Sequence, residues 1–268
     1  MFMVVAVEDK KEPLRQRLGR LLRGDALEWE DRSCGGNRYR YIVWHGPVER
    51  LPWNRLALLC PRPRSPVLLP PEVLAPEGCP LRDYRPQDFT ARLTVAAARQ
   101  AMEQTAGKGS GLLGLLDPQG IAPWACGEWL DCCRGVKGYT LRRSRYAAAE
   151  TMLRVEYGLP LLWAETPAEL EDCSICAAPY PTGVIRVRRP IITADRSGIQ
   201  GNPTVNRLTL ALTPEQLAEV PPGAEPTAFW GMVTECGTRR VKLPLTLGGC
   251  RIDGRLAEFT ELGKLMRT

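Results

Sequence analysis

The sequence predicts an α/β protein built around a mostly parallel sheet. Between residues 111 and 180, four short apolar segments alternate with segments of helical pattern, as in parallel strands joined by crossover helices. Hydrophobic residues make up 44% of the 268-residue chain and charged residues 25%, which are ordinary values for a globular protein. A chain of this length buries a sizeable core, as one large domain or two small ones.

The first 85 residues predict a smaller N-terminal α/β unit. Its predicted elements are a strand over Met3–Val7, a helix over Lys11–Arg23, and strands over Arg38–Val43 and Arg55–Cys60. The apolar start of the chain precedes its first charges, the reverse of the order in a secretory signal, which predicts a cytoplasmic protein. Closely spaced prolines between 61 and 86 predict a linker, so we expect domains at 1–85 and 86–268.

The second predicted domain opens with an alanine-rich helix over 86–105 and continues as alternating strands and helices. Its four predicted strands are Leu112–Leu116, Gly138–Leu141, Leu159–Ala164 and Cys173–Ala178. The predicted helices between them are Pro123–Cys133, Arg145–Tyr157 and a short turn from Thr166. Proline suits a first helical position, and Gly158 suits a helix end.

The pattern is less regular after residue 180. It predicts a fifth strand over Val184–Ile192, a polar glycine-containing loop over Asp195–Pro203, a strand over Leu208–Leu212, a short helix over Thr213–Val220 and a closing helix over Leu256–Met266. Asp195 is a candidate carboxylate for a ligand crevice, but an ordinary turn is the favoured interpretation of this loop.

Residues 111–180, about a quarter of the chain, resemble the coenzyme half of NADP-dependent Rossmann reductases of the shikimate dehydrogenase and glutamyl-tRNA reductase type. The segment Tyr139-Thr-Leu-Arg-Arg-Ser-Arg145 occupies the place where those families hold the 2′-phosphate of NADP. The segment Leu170–Ala178 resembles their acidic turn and the strand that ends in small residues. The resemblance implies a Rossmann-like sheet, NADP as the coenzyme, and a site that includes Arg142, Arg143, Ser144 and Ala178.

The first turn of this segment departs from the dinucleotide pattern. That pattern, G-x-G-x-x-G, lets backbone N–H groups approach a pyrophosphate closely. Here the turn reads Asp117-Pro-Gln-Gly120, so only Gly120 matches, Pro118 donates no N–H, and Asp117 brings a negative charge to the place of the diphosphate. The predicted ligand residues are therefore Asp117, Gly120, Arg142, Arg143, Ser144 and Ala178, with Asp117 either facing the crevice or pairing with an arginine and closing it.

Several other chemistries lack the residues they need. The chain has one histidine, His45, which argues against His-rich metal sites and for a structural role, and no Walker A sequence is present. The ten cysteines include one C-x-x-C, at Cys173 and Cys176; a thiolate metal site with Cys132 and Cys133 is the alternative to buried, reduced thiols. We expect no metal, no nucleic-acid partner because the arginines are scattered, and no membrane partner because no apolar run approaches about 18 residues.

Two functions remain open on the sequence. The first is a non-catalytic regulatory or structural protein that keeps a Rossmann-like fold and lacks a standard dinucleotide site, which the missing glycines favour. The alternative is an NADP-dependent reductase-like enzyme or a sensor of a phosphorylated small molecule, which Arg142, Arg143 and Ser144 favour, because guanidinium groups at a strand end can clamp an anionic small molecule. Whether the protein is an enzyme stays open.

Overall fold

The computed structural model describes residues 1–8, 27–105, 111–194 and 198–261, and it confirms an α/β fold with a mostly parallel eight-stranded sheet. The predicted helix over Lys11–Arg23 and the candidate Asp195 lie outside the described residues. Within the described residues, none of the helices combines the length and the apolar character that crossing a membrane requires.

The strands are β1 (Phe2–Val7), β2 (Leu27–Cys34), β3 (Asn37–Trp44), β4 (Pro66–Leu68), β5 (Arg82–Asp83), β6 (Leu112–Leu116), β7 (Gly135–Tyr139), β8 (Leu161–Trp163), β9 (Ile175–Ala178), β10 (Ile185–Arg186), β11 (Ile191–Thr193), β12 (Ile199–Gln200), β13 (Thr204–Leu210), β14 (Leu247–Ile252) and β15 (Arg255–Glu258). The α-helices are α1 (Trp53–Leu59), α2 (Gln87–Thr105), α3 (Ala147–Tyr157), α4 (Pro214–Ala218) and α5 (Pro226–Cys236). The 3₁₀ helices are η1 (Val48–Arg50), η2 (Pro123–Trp129), η3 (Arg143–Tyr146) and η4 (Pro167–Asp172).

The chain forms two compact units, residues 1–86 with 212–244, and residues 87–211 with 245–268. The predicted boundary near residue 86 has a counterpart here, but the prediction left 212–244 in the second domain. The structure places that segment in the first unit because α5 packs on β4, and Phe229 of α5 meets Tyr39 of β3 edge-on with ring centroids 5.5 Å apart. That each unit folds as an independent domain stays a prediction.

The first unit contains a five-stranded sheet in the order β2-β3-β1-β4-β5. β1 is almost entirely buried because it lies inside the sheet, parallel to β3 on one side and to β4 on the other. The predicted strand over Arg55–Cys60 is wrong, since α1 occupies that segment. Leu56 is buried in the core while Leu58 is 85% exposed, and a short apolar run alone does not separate a helix from a strand.

The eight-stranded sheet of the second unit has the order β15-β14-β13-β11-β9-β6-β7-β8. Six neighbouring strands of this sheet, in the order β8-β7-β6-β9-β11-β13, run parallel to one another. Numbered along the chain, they have the strand order 3-2-1-4-5-6 of a Rossmann fold. β14 and β15 extend this sheet antiparallel at one edge. The long helix α2 packs on β9, β11, β13 and β14, and it is buried through alanine, leucine and valine side chains.

Three predicted elements of this unit need correction. The fifth predicted strand over Val184–Ile192 is two short strands, β10 and β11, because Pro190 and its neighbouring arginines interrupt the segment. The closing helix predicted over Leu256–Met266 is wrong at its start, because Leu256 to Glu258 belong to β15, which pairs with β14. Residues 259–261 are helical, and 262–268 lie outside the described residues. The predicted strand over Gly138–Leu141 ends at Tyr139, so Arg142 follows the strand by three residues.

Gly114, in the middle of β6, has no room for a side chain. A Cβ there would lie 2.6 Å from Cys176 Sγ and 3.3 Å from Cys173 Sγ, and both thiols are fully buried. We therefore expect Gly114→Ala to lower the free energy of unfolding by about 1–3 kcal/mol through overpacking. Urea unfolding measures this change.

The matched control for this substitution is Gly127→Ala. A Cβ at Gly127 meets only Met152 Cε, at 3.7 Å, an ordinary contact distance. Equal stability of the two variants would contradict the packing described for β6 and β9.

Candidate functional site

The topology of the second unit creates a crevice next to β6. From β6 the chain runs outward through β7 and β8 on one side, and β9, β11 and β13 lie on the other. In such a sheet ligands bind outside the carboxyl ends of the strands where the order reverses. Asp117 directly follows β6, and Ala178 ends the neighbouring β9.

The Asp117 carboxylate is held by the protein itself. Its side chain is fully buried, and Oδ2 accepts hydrogen bonds from the Ala122 N–H at 2.7 Å and from the Tyr146 hydroxyl at 2.6 Å. Ala122 immediately precedes η2, so the carboxylate takes an amide at the start of this helix, where a bound anion would otherwise accept it. Asp117 pairs with neither Arg142 nor Arg143, which corrects the interpretation in which an arginine closes the crevice.

Tyr146 is the partner that the sequence analysis missed. It is buried at the end of η3, directly before α3, and its ring packs edge-on against Trp163 with centroids 5.3 Å apart. Burial and the adjacent Asp117 carboxylate raise the pKa of Tyr146 well above its ordinary value. Burial also raises the pKa of the nearby Cys126 thiol, to about 12. At neutral pH both groups are protonated, and Tyr146 acts as a hydrogen-bond donor.

The glycine of the first turn lies under the arginine segment. Gly120 has a φ of +66°, and a Cβ there would lie 2.9 Å from Arg142 Cβ and 3.1 Å from Arg145 Cδ. Arg145 Nη1 donates to the carbonyls of Gln119 and Gly120 at 3.3 and 3.4 Å. The chain's own side chains therefore occupy the space next to Gly120, and this turn, which has Asp117 and Pro118 in place of the glycine pattern, does not fit a dinucleotide.

Backbone hydrogen bonds connect the turn after β6 to the segment after β7. The Asp117 N–H donates to the Tyr139 carbonyl at 3.0 Å, and the Leu141 N–H donates to the Pro118 carbonyl at 3.1 Å. These bonds continue the β6–β7 pairing beyond the strand ends. The turn after β6 and the segment after β7 consequently form one rigid surface.

The predicted arginine cluster, formed by Arg142, Arg143 and Ser144, is exposed, and one of its two arginines is paired with a carboxylate. Arg143 donates to Glu165 Oε1 at 2.7 Å, and its guanidinium lies 5.6 Å from the centre of the Trp163 ring. Within the described part of the chain, the Arg142 side chain forms no hydrogen bond or ion pair, and Ser144 is exposed beside it. Of the two predicted arginines, Arg142 is thus the one without a carboxylate partner in the described part of the chain.

The structure brings together Asp117, Gly120 and Arg142 among the predicted residues. Ala178 is instead buried in a core cluster with Leu116 and Cys176, and its carbonyl accepts from the Ala194 N–H at 3.4 Å. The sequence pattern did not mark Tyr146, which reads as an ordinary residue at the start of a helix. Arg145 ends the basic segment Tyr139–Arg145 but was not among the predicted ligand residues.

The remaining candidates lie elsewhere. His45, in the first unit, has its ring nitrogens 3.5 and 3.4 Å from carboxylate oxygens of Glu8 and Glu28. All ten cysteines carry free thiols, and Cys173 and Cys176 are fully buried. Among the described residues, no three His, Cys, Asp or Glu side chains come together as a metal site would require.

Comparisons with known proteins add little beyond the fold. No protein-family model and no curated protein matches the sequence. Solved structures with a similar arrangement include Δ(1)-pyrroline-2-carboxylate reductase of Thermococcus litoralis (TM-score 0.29, 20% identity, 39% of this chain and 36% of that chain) and iminosuccinate reductase of Paracoccus denitrificans (TM-score 0.29, 19% identity, 39% and 35%). L-Tryptophan dehydrogenase of Nostoc punctiforme is another (TM-score 0.30, 11% identity, 75% and 61%).

The alignments thus span about a third of the two reductases, and likeness at this level says nothing about function. The Rossmann-like assignment rests on the strand order of the sheet. The finer resemblance to shikimate dehydrogenase and glutamyl-tRNA reductase stays a prediction.

Tyr146→Phe tests the hydrogen bond to the buried carboxylate. The substitution leaves Asp117 Oδ2 with the Ala122 N–H alone, so we expect the free energy of unfolding to fall by about 1–3 kcal/mol at neutral pH. Tyr157→Phe is the matched control, because Tyr157 is 50% exposed at the end of α3. Denaturant unfolding of both variants gives the comparison.

Alkaline pH provides a second readout of the same bond. The raised pKa of Tyr146 means that the folded state keeps a proton which the unfolded state loses above about pH 10. The stability of the native protein should therefore fall as the pH rises above 10, and that of Tyr146→Phe should fall less steeply. Parallel pH profiles for the two proteins would show that the hydroxyl does not face a buried carboxylate.

Proposed function

We propose that this protein binds a phosphorylated small molecule at the carboxyl end of β7 and acts as a sensor or carrier of that ligand. The observation that supports this proposal is the exposed Arg142 guanidinium, which lacks a protein partner within the described residues and follows a strand at the edge where α/β folds bind ligands. Ser144, exposed nearby, adds a hydroxyl donor. An anion accepts both kinds of hydrogen bond.

The turn after β6, which holds the diphosphate in dinucleotide-binding folds, takes no part in binding the proposed ligand. Asp117 occupies the amide at the start of η2, and Arg142 and Arg145 cover Gly120. A dinucleotide would need these groups to move and would bring its diphosphate toward a buried carboxylate, which is electrostatically unfavourable. This argues against an NADP-dependent reductase and for a ligand whose phosphate is held at the rim.

The Glu165 carboxylate competes with a ligand phosphate for the guanidinium of Arg143. This guanidinium is paired with Glu165, which is exposed, so the pair is screened and contributes little to stability. A ligand phosphate can replace the Glu165 carboxylate as the partner of Arg143, and the affinity then reflects the difference between the two pairings. Arg142 contributes its full interaction, and Arg143 contributes less.

A second candidate function is a regulatory or structural protein that has no small-molecule ligand. The first turn favours this function, because Asp117, Arg142 and Arg145 occupy positions that a coenzyme-binding turn leaves to its ligand. The two candidates differ in one measurable property, namely whether a phosphorylated ligand binds in an Arg142-dependent way.

The test uses adenosine 2′,5′-bisphosphate as the probe and adenosine as its phosphate-free match. We expect the bisphosphate to bind more tightly than adenosine, and Arg142→Ala to weaken its binding by about tenfold or more, as for loss of a charge-assisted hydrogen bond. Glu165→Gln should strengthen binding a few-fold by releasing Arg143. Isothermal titration calorimetry at low and high salt measures each dissociation constant.

Arg154→Ala is the matched control, because Arg154 is exposed on α3 and lies outside the cluster. Unchanged affinity in Arg142→Ala, with circular dichroism showing an intact fold, would reject the proposed site. If neither the bisphosphate nor other sugar phosphates bind the native protein, the structural function is the better account.

A further inference from the structure

A second concave surface lies along α2 and shares no residue with the arginine cluster. It is a groove of about 580 Å³, formed within the second unit by α2, η2 and the segment after β9. Tyr180 follows β9 by two residues, and its hydroxyl donates to Asp88 Oδ1 at 2.9 Å in the first turn of α2. This bond places the start of α2 at the carboxyl edge of the sheet, where the groove begins.

The groove carries opposite charges that the protein does not pair. Arg92 projects from α2 and Glu128 from η2, and both line the groove. Within the described residues, neither side chain forms a hydrogen bond or an ion pair. Asp88, at the same end as Tyr180, adds a carboxylate that, in the part of the chain the structure describes, accepts a side-chain hydrogen bond from the tyrosine hydroxyl alone. One cationic and two anionic groups thus face a common volume, and each can form an ion pair with a ligand group of opposite charge.

The walls between these charges are aromatic and apolar. Trp124 is 37% exposed on the groove side of η2, and Val95 is buried in its floor. Burial and the hydrogen bond to Asp88 raise the pKa of Tyr180 to about 12, so at neutral pH its hydroxyl stays protonated and keeps Asp88 oriented. An indole face next to carboxylates favours both a flat apolar group and a cation.

We propose that this groove binds a small zwitterion with an apolar body. The anionic group of the ligand pairs with Arg92, its ammonium group is held by Glu128 and Asp88, and its body lies on Trp124 over Val95. The two carboxylates disfavour a polyanion, and Arg92 disfavours a dication, because each like charge in a partly enclosed groove weakens binding. This site goes beyond the phosphate site proposed at Arg142 and needs no part of it.

The experiment compares one zwitterion with its two singly charged analogues. The probes are L-phenylalanine, phenethylamine, which lacks the carboxylate, and 3-phenylpropanoate, which lacks the ammonium group. L-Leucine and 6-aminohexanoate extend the series to an aliphatic body and to a wider charge separation. Ligand-observed NMR and isothermal titration calorimetry on the full chain give the dissociation constants.

We expect L-phenylalanine to bind about tenfold more tightly than either phenethylamine or 3-phenylpropanoate. Arg92→Ala should remove the preference over phenethylamine, and Glu128→Gln should reduce the preference over 3-phenylpropanoate, since Asp88 remains to hold the ammonium group. Arg154→Ala and Glu156→Gln, which change exposed charges on α3, are the matched controls and should leave all affinities unchanged. Trp124→Ala should weaken binding of L-phenylalanine more than that of 6-aminohexanoate.

Three results would overturn the proposal. One is the absence of saturable binding by L-phenylalanine, L-leucine and 6-aminohexanoate up to about 20 mM, a concentration far above ordinary ligand affinities. Another is equal affinity for the zwitterion and both analogues. The third is zwitterion binding that Arg92→Ala and Glu128→Gln leave unchanged while circular dichroism shows both variants folded.

Discussion

The buried carboxylate of Asp117 is the constraint around which the carboxyl edge of this sheet is organised. A carboxylate removed from water is costly unless it is hydrogen-bonded, and here the Ala122 amide and the Tyr146 hydroxyl supply the bonds. Those two donors lie at the start of η2 and directly before α3. One side chain therefore fixes the positions of both segments that follow the first two strands of the Rossmann-like sheet.

That arrangement limits which groups of the first turn are available to a ligand. The Ala122 amide is bonded to Asp117, so this helix-start donor is not available to a diphosphate. Arg145 donates to carbonyls of the turn, whereas the Arg142 side chain has no hydrogen-bond or ion-pair partner among the described residues. The proposal of a smaller anionic ligand rests on this difference between the two arginines.

The sequence predicted the central sheet well because its strands are buried on both faces. β6 and β9 are continuous apolar runs, and the rhythm of strand and helix between them indicates a parallel sheet. The sequence did not reveal elements stabilised by partners distant along the chain. β2 is largely exposed and alternates poorly, and β14 pairs with β13 and β15 rather than forming an apolar run of its own.

The candidate site was predictable only in part for the same reason. Asp117 and Gly120 are visible as departures from a glycine pattern, and Arg142 and Arg143 as a basic run after a strand. The hydrogen bonds of Asp117 are a property of the fold, because one of the two donors to Asp117 Oδ2 is the Tyr146 hydroxyl, 29 residues away. No local pattern places Arg92 and Glu128 in one groove either, since they line the same groove only because α2 packs beside η2.

The affinity of NADP relative to that of adenosine 2′,5′-bisphosphate tests the filled first turn most directly. The bisphosphate carries the 2′-phosphate and lacks the full diphosphate and nicotinamide, so the ratio isolates what the turn contributes. Because Asp117, Arg142 and Arg145 occupy the turn, the account predicts that NADP binds no more tightly than the bisphosphate in calorimetric titrations under identical salt. Binding of NADP that is about tenfold tighter or more would mean that the turn accepts a diphosphate, and it would contradict the account.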